Sequence, residues 1–435
     1  MKNILFIIIT LLLVTSCSQD DIDKTLKPHQ DKDNHYILWQ YDYGINGSSI
    51  DVVPAMDENG HLFFATEGSE RSYNAKVIAL NTDGTELWTK EYTATNYTEI
   101  SKLMYKNNKV YFSIFQVETN YLSKETIYCL NATNGSVVWS FSPTEEYYST
   151  YQKIKGMAIN NNKLVIVANW RLVEGNGNDH PWRYIHYFNP NTGEVLTQLD
   201  LGIYSFTSIA LSGNDLYICH IDKDNNQVEQ TVISKIDMTT NNLLWQYYTN
   251  LAIGTRTSQR NIAIDGNDNI LLLTQTGTPS IFNLTSLSSV GTINYSVELG
   301  EGNHKTTDLL IYPDNSIYDE HRGKKYSASG GLLWEIESGN GLLRYESGAM
   351  IGANGYAYHN DSDDLTVVKP NGDIAWMYYR EENFLGASTP ILTNDGNVVV
   401  IGDKFITCIK GDGVGIANSA WARPYGNNGN TSSKQ

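Results

Sequence analysis

The sequence predicts an all-β fold, a β-propeller of four-stranded antiparallel blades. Three observations point there: a unit recurring at a nearly constant period, strand-like alternation inside it, and tight polar turns between its strands. Each unit holds an apolar strand, an Asn/Gly/Asp turn, a second strand, a third ending in a Thr/Asn/Gly turn, and a fourth that opens on a branched pair and Trp. The first copy, "ENGHLFFATEG…KVIALNTDGTELWTKEY", ends at Trp88, and the second, "NNKVYFSIFQ…TIYCLNATNGSVVWSFSP", at Trp139. The third puts Thr197 where Trp is expected, and the fourth, "GNDLYICHI…ISKIDMTTNNLLWQYY", supplies Trp245. A degenerate fifth copy places the equivalent position near Ile293, and two compact copies carry Trp334 and Trp376.

From Trp39 onward these positions are spaced 49, 51, 58, 48, about 48, about 41 and 42 residues apart, the range of repeated propeller sheets and not of a leucine-rich solenoid. Asp83–Gly84, Asn134–Gly135 and Asn371–Gly372 supply the positive φ that tight turns need. One meander cannot bury both of its apolar faces, so the copies must stack radially. The recurring Trp then fills the space between neighbours and is not assigned to a ligand. Residues 389–413 give three strands without a Trp strand, whereas "YILWQYDYG" at 36–44 is a Trp strand with nothing before it. The N-terminal strand is therefore expected to complete the last blade. That makes eight blades, with seven left open by the poor fifth copy.

Composition fits an exported β protein. There are 29 Tyr and only 10 Pro, a balance that favours strands joined by polar turns. Lys plus Arg is 31 against 48 Asp plus Glu, a net charge of −17, which argues against nucleic acid as a partner. Met1 to Ser16 reads as a secretory signal, with Lys2 before an apolar run from Ile4 to Val14 too short to span a bilayer. It ends in "LVTSC", which resembles a bacterial lipobox, so Cys17 is expected to carry the lipid and tie the protein to a membrane. "SQDDID" resembles the acidic tether that some Gram-negative bacteria use to send lipoproteins to the cell surface. The expected organisation is a signal at 1–16, a lipidated Cys and polar linker at 17–35, a propeller at 36–415, and a tail at 416–435 packing on or trailing from it. Cys129, Cys219 and Cys408 each sit inside an apolar strand and read as small buried hydrophobes, not a disulfide framework.

The motifs "TDGTELW", "TNGSVVW" and "TNNLLW" resemble the pyrroloquinoline-quinone-like (PQQ-like) propeller repeat, over nearly all of Trp39 to Gly415. In the tail, Trp421 and Tyr425 are similar to the closing segment that follows the last blade in this family. The resemblance implies seven or eight blades and raises quinone-dependent dehydrogenation. The dehydrogenases of the family usually carry two adjacent cysteines and calcium ligands, and no two cysteines are adjacent here. C-x-x-C-H is missing too, as are G-x-S-x-G, H-E-x-x-H and Walker motifs. "DKDNN" at 222–226 begins like a calcium loop, but Gln227 and Ile233 stand where Gly and Glu are needed. His180 and His186 flank Trp182 without a metal-binding pattern. No catalytic residue, metal or cofactor is expected.

In a propeller, the connections from each outer strand to the next inner strand converge around one mouth of the channel. The residues after the Trp strands are therefore the candidate ligand surface: Tyr97, Glu99, Tyr148, Tyr204, Arg256, Arg260, His304, Lys305 and Arg344. The five basic residues among them are expected to gather on one side of the mouth, opposite Glu99, Glu145, Glu146 and Tyr148. The function expected is that of an outer-membrane, surface-exposed lipoprotein acting as a non-catalytic binding or scaffold module for a protein or glycan ligand. The alternative is an assembly lipoprotein facing the periplasm, and a quinone-dependent dehydrogenase stands third.

Overall fold

Strands such as Lys109–Val117 and Leu62–Thr66 are buried along almost their whole length, on both faces, as expected of sheets covered on each side by a neighbour. The outermost strands behave differently. Val195–Asp200 alternates exposed and half-buried residues because one edge of every blade meets water. The computed structural model describes residues 33–434 apart from 45–51, 67–73, 95, 118–121, 143–146, 149–153, 174–178, 203–204, 224–228, 250–261, 277–280, 302–307, 321–322, 337–347, 361–363, 380–388 and 403. The described residues contain no helix.

They form eight antiparallel sheets, the blades of an eight-bladed propeller. Blades 1 to 7 follow in chain order over residues 55–93, 97–141, 154–200, 205–248, 263–301, 309–335 and 348–379. Blade 8 is the composite the sequence predicts. Its three inner strands are Ile391–Leu392, Val398–Ile401 and Phe405–Ile409, and Ile37–Asp42 pairs with the last of them, Ile37 opposite Ile409 and Asp42 opposite Phe405. Apolar clusters lie between blades: Phe63 and Val77 of blade 1 share one with Val110, Phe112 and Ile114 of blade 2. Burying a side chain of that size stabilises by roughly 1.5–3 kcal/mol. Cys129, Cys219 and Cys408 are free and buried in blades 2, 4 and 8, and burial pushes their thiols up to about 12, 11 and 12.

The tryptophans do join the blades. Trp88 Nε1 donates to Ala132 O of blade 2 at 2.8 Å, and Trp139 donates to Pro190 O of blade 3 at 3.0 Å. Trp39, Trp245 and Trp334 repeat the bond onto Thr82, Ser289 and Pro370 at 3.0, 3.0 and 2.6 Å. Each indole covers a glycine of the accepting turn. Gly135 has φ of +68° and lies so close that a Cβ would come within 2.7 Å of the Trp88 ring, so a side chain is excluded on both counts. At the ring closure Trp376 stacks on His35, with centroids 3.8 Å apart and planes 12° apart, and donates to Asp412. His35 takes the glycine's place there, held by its Nδ1 and Lys410 O at 2.9 Å.

The degenerate fifth copy needs a correction. The aromatic position is Tyr295 and not Ile293. A bulge shifts the register, so that Leu287 pairs with Ile293 and Ser286 with Tyr295, as Leu80 pairs with Glu86 and Ala79 with Trp88. Tyr295 lies over Gly330 of blade 6, where an added Cβ would come within 2.8 Å of its ring. Blade 3 has Thr197 at this position, and the facing turn of blade 4 has Asn241 at φ of +62° instead of glycine. Where no ring covers the turn, a side chain is admitted. The orphaned carbonyl of that turn, Met238 O, accepts instead from Lys163 Nζ, which sits 4.7 Å from the Tyr187 ring centroid. Burial lowers the Lys163 ammonium below its usual range, against the pull of Asp237.

Candidate functional site

The inner strands would leave unpaired backbone groups where they line the channel, and unpaired buried groups are costly. The tail satisfies them. Ile311 and Ile351 donate to Trp421 O and Ala422 O at 2.7 and 2.8 Å, then Met56, Tyr105, Ile159 and Leu211 donate to Asn428, Gly429, Thr431 and Ser432 carbonyls at 2.7–2.8 Å. Lys434 Nζ reaches blade 5 through Gly266 O and Asp268 Oδ1, both at 2.9 Å. The tail thus touches blades 1 to 7 and covers the face that carries the turns between first and second strands. Trp421 is buried against Ile264, Ile311 and their neighbours.

Cations are held inside this seal by neutral acceptors. Arg423 is fully buried, donates to Pro54 O at 3.0 Å and Asn428 Oδ1 at 3.5 Å, and is pushed down to about 9 by desolvation. Asn430 Nδ2 donates to Val53 O, Pro54 O and Leu103 O at 2.8, 2.9 and 3.0 Å. Lys102 Nζ donates to Met157 O at 2.8 Å and to Ser432 Oγ, and lies 4.0 Å from the centroid of the Tyr425 ring. Desolvation lowers this ammonium well below its usual value, and the charge of Asp308 across the channel opposes that. The seal also holds the Asp57–His61 pair, at 2.8 Å between Oδ2 and Nδ1. Asp265 makes the same bond to Asn269 Nδ2 at 2.8 Å in the equivalent turn of blade 5, so the pair is a turn device and not a catalytic dyad.

The sequence placed the ligand surface at the opposite face. There, Tyr97 and Glu99 open the inner strand of blade 2, half-buried, with the Tyr97 hydroxyl donating to Glu99 Oε2 at 3.2 Å and the ring edge-on to Phe115. Tyr148 lies in the short strand Tyr147–Tyr148, which pairs with Leu122 and Ser123 of the same blade. Tyr204, Arg256, Arg260, His304, Lys305 and Arg344 lie outside the described residues, as do Glu145, Glu146 and Cys17. The structure therefore joins Tyr97 to Glu99 and leaves the grouping of the basic residues an expectation. The described residues contain no group of three or more His, Cys, Asp or Glu side chains placed to hold a metal ion.

Eight antiparallel blades with an indole or phenol ring at seven of the eight seams define the chain as an eight-bladed β-propeller whose repeats are similar to the PQQ-like repeat. Residues 31–176 match the family model described as outer membrane protein assembly factor BamB. The fold is similar to BamB from Moraxella catarrhalis, at 12% identity and a TM-score of 0.52, over 86% of this chain and 97% of that one. It is similar to the quinohemoprotein alcohol dehydrogenase from Comamonas testosteroni, at 11% identity and a TM-score of 0.58, over 87% and 77% of the two chains. Sqt1 from Saccharomyces cerevisiae gives 11% identity and a TM-score of 0.55 over 86% and 98%. Comparison with curated protein sequences returns no match.

Proposed function

We propose that the protein is an outer-membrane lipoprotein, anchored through Cys17, that acts as a non-catalytic binding or scaffold module. The observation that carries this reading is the sealed channel. Side chains and backbone of the tail occupy the axial space at one end, and the loops that follow the Trp strands belong to the other. Loops carried on a β scaffold suit recognition of a macromolecule. The ligand surface proposed is the one built around Tyr97, Glu99, Tyr148, Tyr204, Arg256, Arg260, His304, Lys305 and Arg344, and the ligand a protein or a glycan.

Two placements on the membrane are compared by one experiment. The acidic run after Cys17 supports display at the cell surface, while the match of residues 31–176 to an outer-membrane assembly factor supports the periplasmic side. Protease shaving of intact cells removes a surface protein and spares a periplasmic one. Mild crosslinking before membrane extraction then asks for the partner. The Cys17→Ala variant is expected to lose acyl labelling and appear in the soluble fraction, since acyl chains contribute about 0.8 kcal/mol per buried CH₂. Labelling that persists in the variant overturns the anchor, and turnover of an alcohol after addition of quinone and calcium overturns the non-catalytic reading.

A further inference from the structure

On the sealed face the tail leaves a cleft of about 400 Å³ beside the first turns of blades 1, 2 and 8. Its volume is within the roughly 300–1,000 Å³ of ligand sites, but such sites are mostly apolar and this one is not. Its wall includes Glu58, Lys106, Asn107, Asn394 and Asn428, whereas the apolar Met56 beside them is almost fully buried. An apolar ligand would strand those polar groups. The lining holds two acids, Asp57 and Glu58, and two lysines, Lys106 and Lys434, so neither an anion nor a cation finds a field of one sign.

Several of these groups are already engaged. Asp57 accepts from the Asn59 and His61 amides at 2.9 and 2.8 Å and from the His61 ring, and Lys434 is paired with Asp268. The Tyr105 hydroxyl accepts from the Asn108 amide at 3.2 Å, and Asn428 Oδ1 accepts from Arg423. Glu58, Lys106 and Asn107 line the cleft as well, Asn107 at φ of +50° in the two-residue turn of blade 2. The lining therefore offers donors and acceptors together, which complements vicinal hydroxyls, since each hydroxyl both donates and accepts.

The geometry points to a saccharide site in this cleft, taking one or two neutral sugar residues of a glycan. It deepens the proposed binding role by naming a ligand class, yet it sits on the face opposite the loop surface, so either can fail while the other stands.

The test uses the full-length chain purified in detergent and titrated with maltose, lactose and N,N′-diacetylchitobiose, with inorganic phosphate and glucuronate as charged probes, read by calorimetry. At least one neutral sugar is expected to bind with a Kd on the order of 1 mM, unchanged by added salt. Asn107→Gly keeps the positive φ of the turn, and Glu58→Ala removes the carboxylate from an exposed position. Each is expected to weaken binding about tenfold, the loss of one good hydrogen bond, with the melting temperature preserved. Binding of phosphate or glucuronate alone overturns the ligand class. No binding by any neutral sugar up to about tenfold the expected Kd, or full binding by both variants, overturns the site.

Discussion

The seam between blades 2 and 3 and the seam between blades 3 and 4 solve one problem in two ways. In the first, the Trp139 indole covers Gly193 and donates to Pro190 O. In the second, Thr197 covers nothing, Asn241 replaces the glycine, and the Lys163 ammonium reaches the equivalent carbonyl. The constraint is the turn carbonyl, which needs a donor from the blade before it. The ring is one way to deliver the donor while also filling the volume above the turn. An ammonium delivers the donor alone, and it loses hydration in doing so.

The comparison breaks most completely if the ring itself opens. Deleting residues 36–44 removes the outer strand of blade 8 and the neighbouring Trp39 seam, exposing an unpaired edge and two blade faces. The deletion is expected to abolish the cooperative thermal transition. A melting curve like that of the intact chain would mean that the ring does not depend on this closure.

Acid is the next largest probe, because indoles do not titrate. His186, His220 and His359 are buried neutral in blades 3, 4 and 7, pushed down by desolvation to about 4, 4 and 3. Their folded values lie below the unfolded 6.5, so between the two the unfolded chain binds more protons. Stability is therefore intact above pH 6.5 and falls as pH drops toward 4, by on the order of 3 kcal/mol for each of His186 and His220. Denaturant melts at pH 7 and pH 4.5 measure this, and equal midpoints would contradict it. The His220→Gln variant, which keeps a hydrogen-bonding partner for Ser234, should flatten part of the slope.

Trp139→Ala is expected to cost about 3–5 kcal/mol, by loss of a buried ring and of one of the two donors to Pro190 O, the Tyr111 hydroxyl at 3.1 Å remaining. Thr197→Ala, at the matching position of the next seam, should cost under about 1 kcal/mol. Similar losses in the two would show that the aromatic seam is not what holds blades together. A smaller effect sharpens the second seam. Lys163→Met keeps the stem over the Tyr187 ring but leaves Met238 O without its donor, for about 1–3 kcal/mol. A stability gain would show that desolvating the ammonium outweighs the bond it makes.

The fold was legible because Trp, the branched pair and the Asn-Gly turn repeat in one order, and because blade 8 shows its missing strand as an unmatched Trp39 strand at the other end of the chain. Tyr295 was harder to see. Its bulge displaces it from where counting puts it, and a Tyr in a Tyr-rich chain carries no contrast. Lys163 was invisible, since it comes from a different turn of the blade than the residue it replaces. The tail's signal lay in Trp421, whereas "NNGNTS" reads as a polar trailer by composition. Its amides meet the channel ends of the inner strands, a contact that no periodicity announces. At the open face the sequence supplied residue types and a topology, and of these Tyr97 and Glu99 stand together in the structure.

The pairing of Ile37 with Ile409 also sets a timetable. The first strand to leave the ribosome is the last to meet its partner, because blades 1 to 7 and most of blade 8 must exist before it can dock. Until then blade 1 has one uncovered face and the inner strands lack the tail, which is made later still. Closure therefore waits on contacts between residues far apart in sequence, the kind that slows folding to milliseconds or seconds and leaves open edges exposed meanwhile.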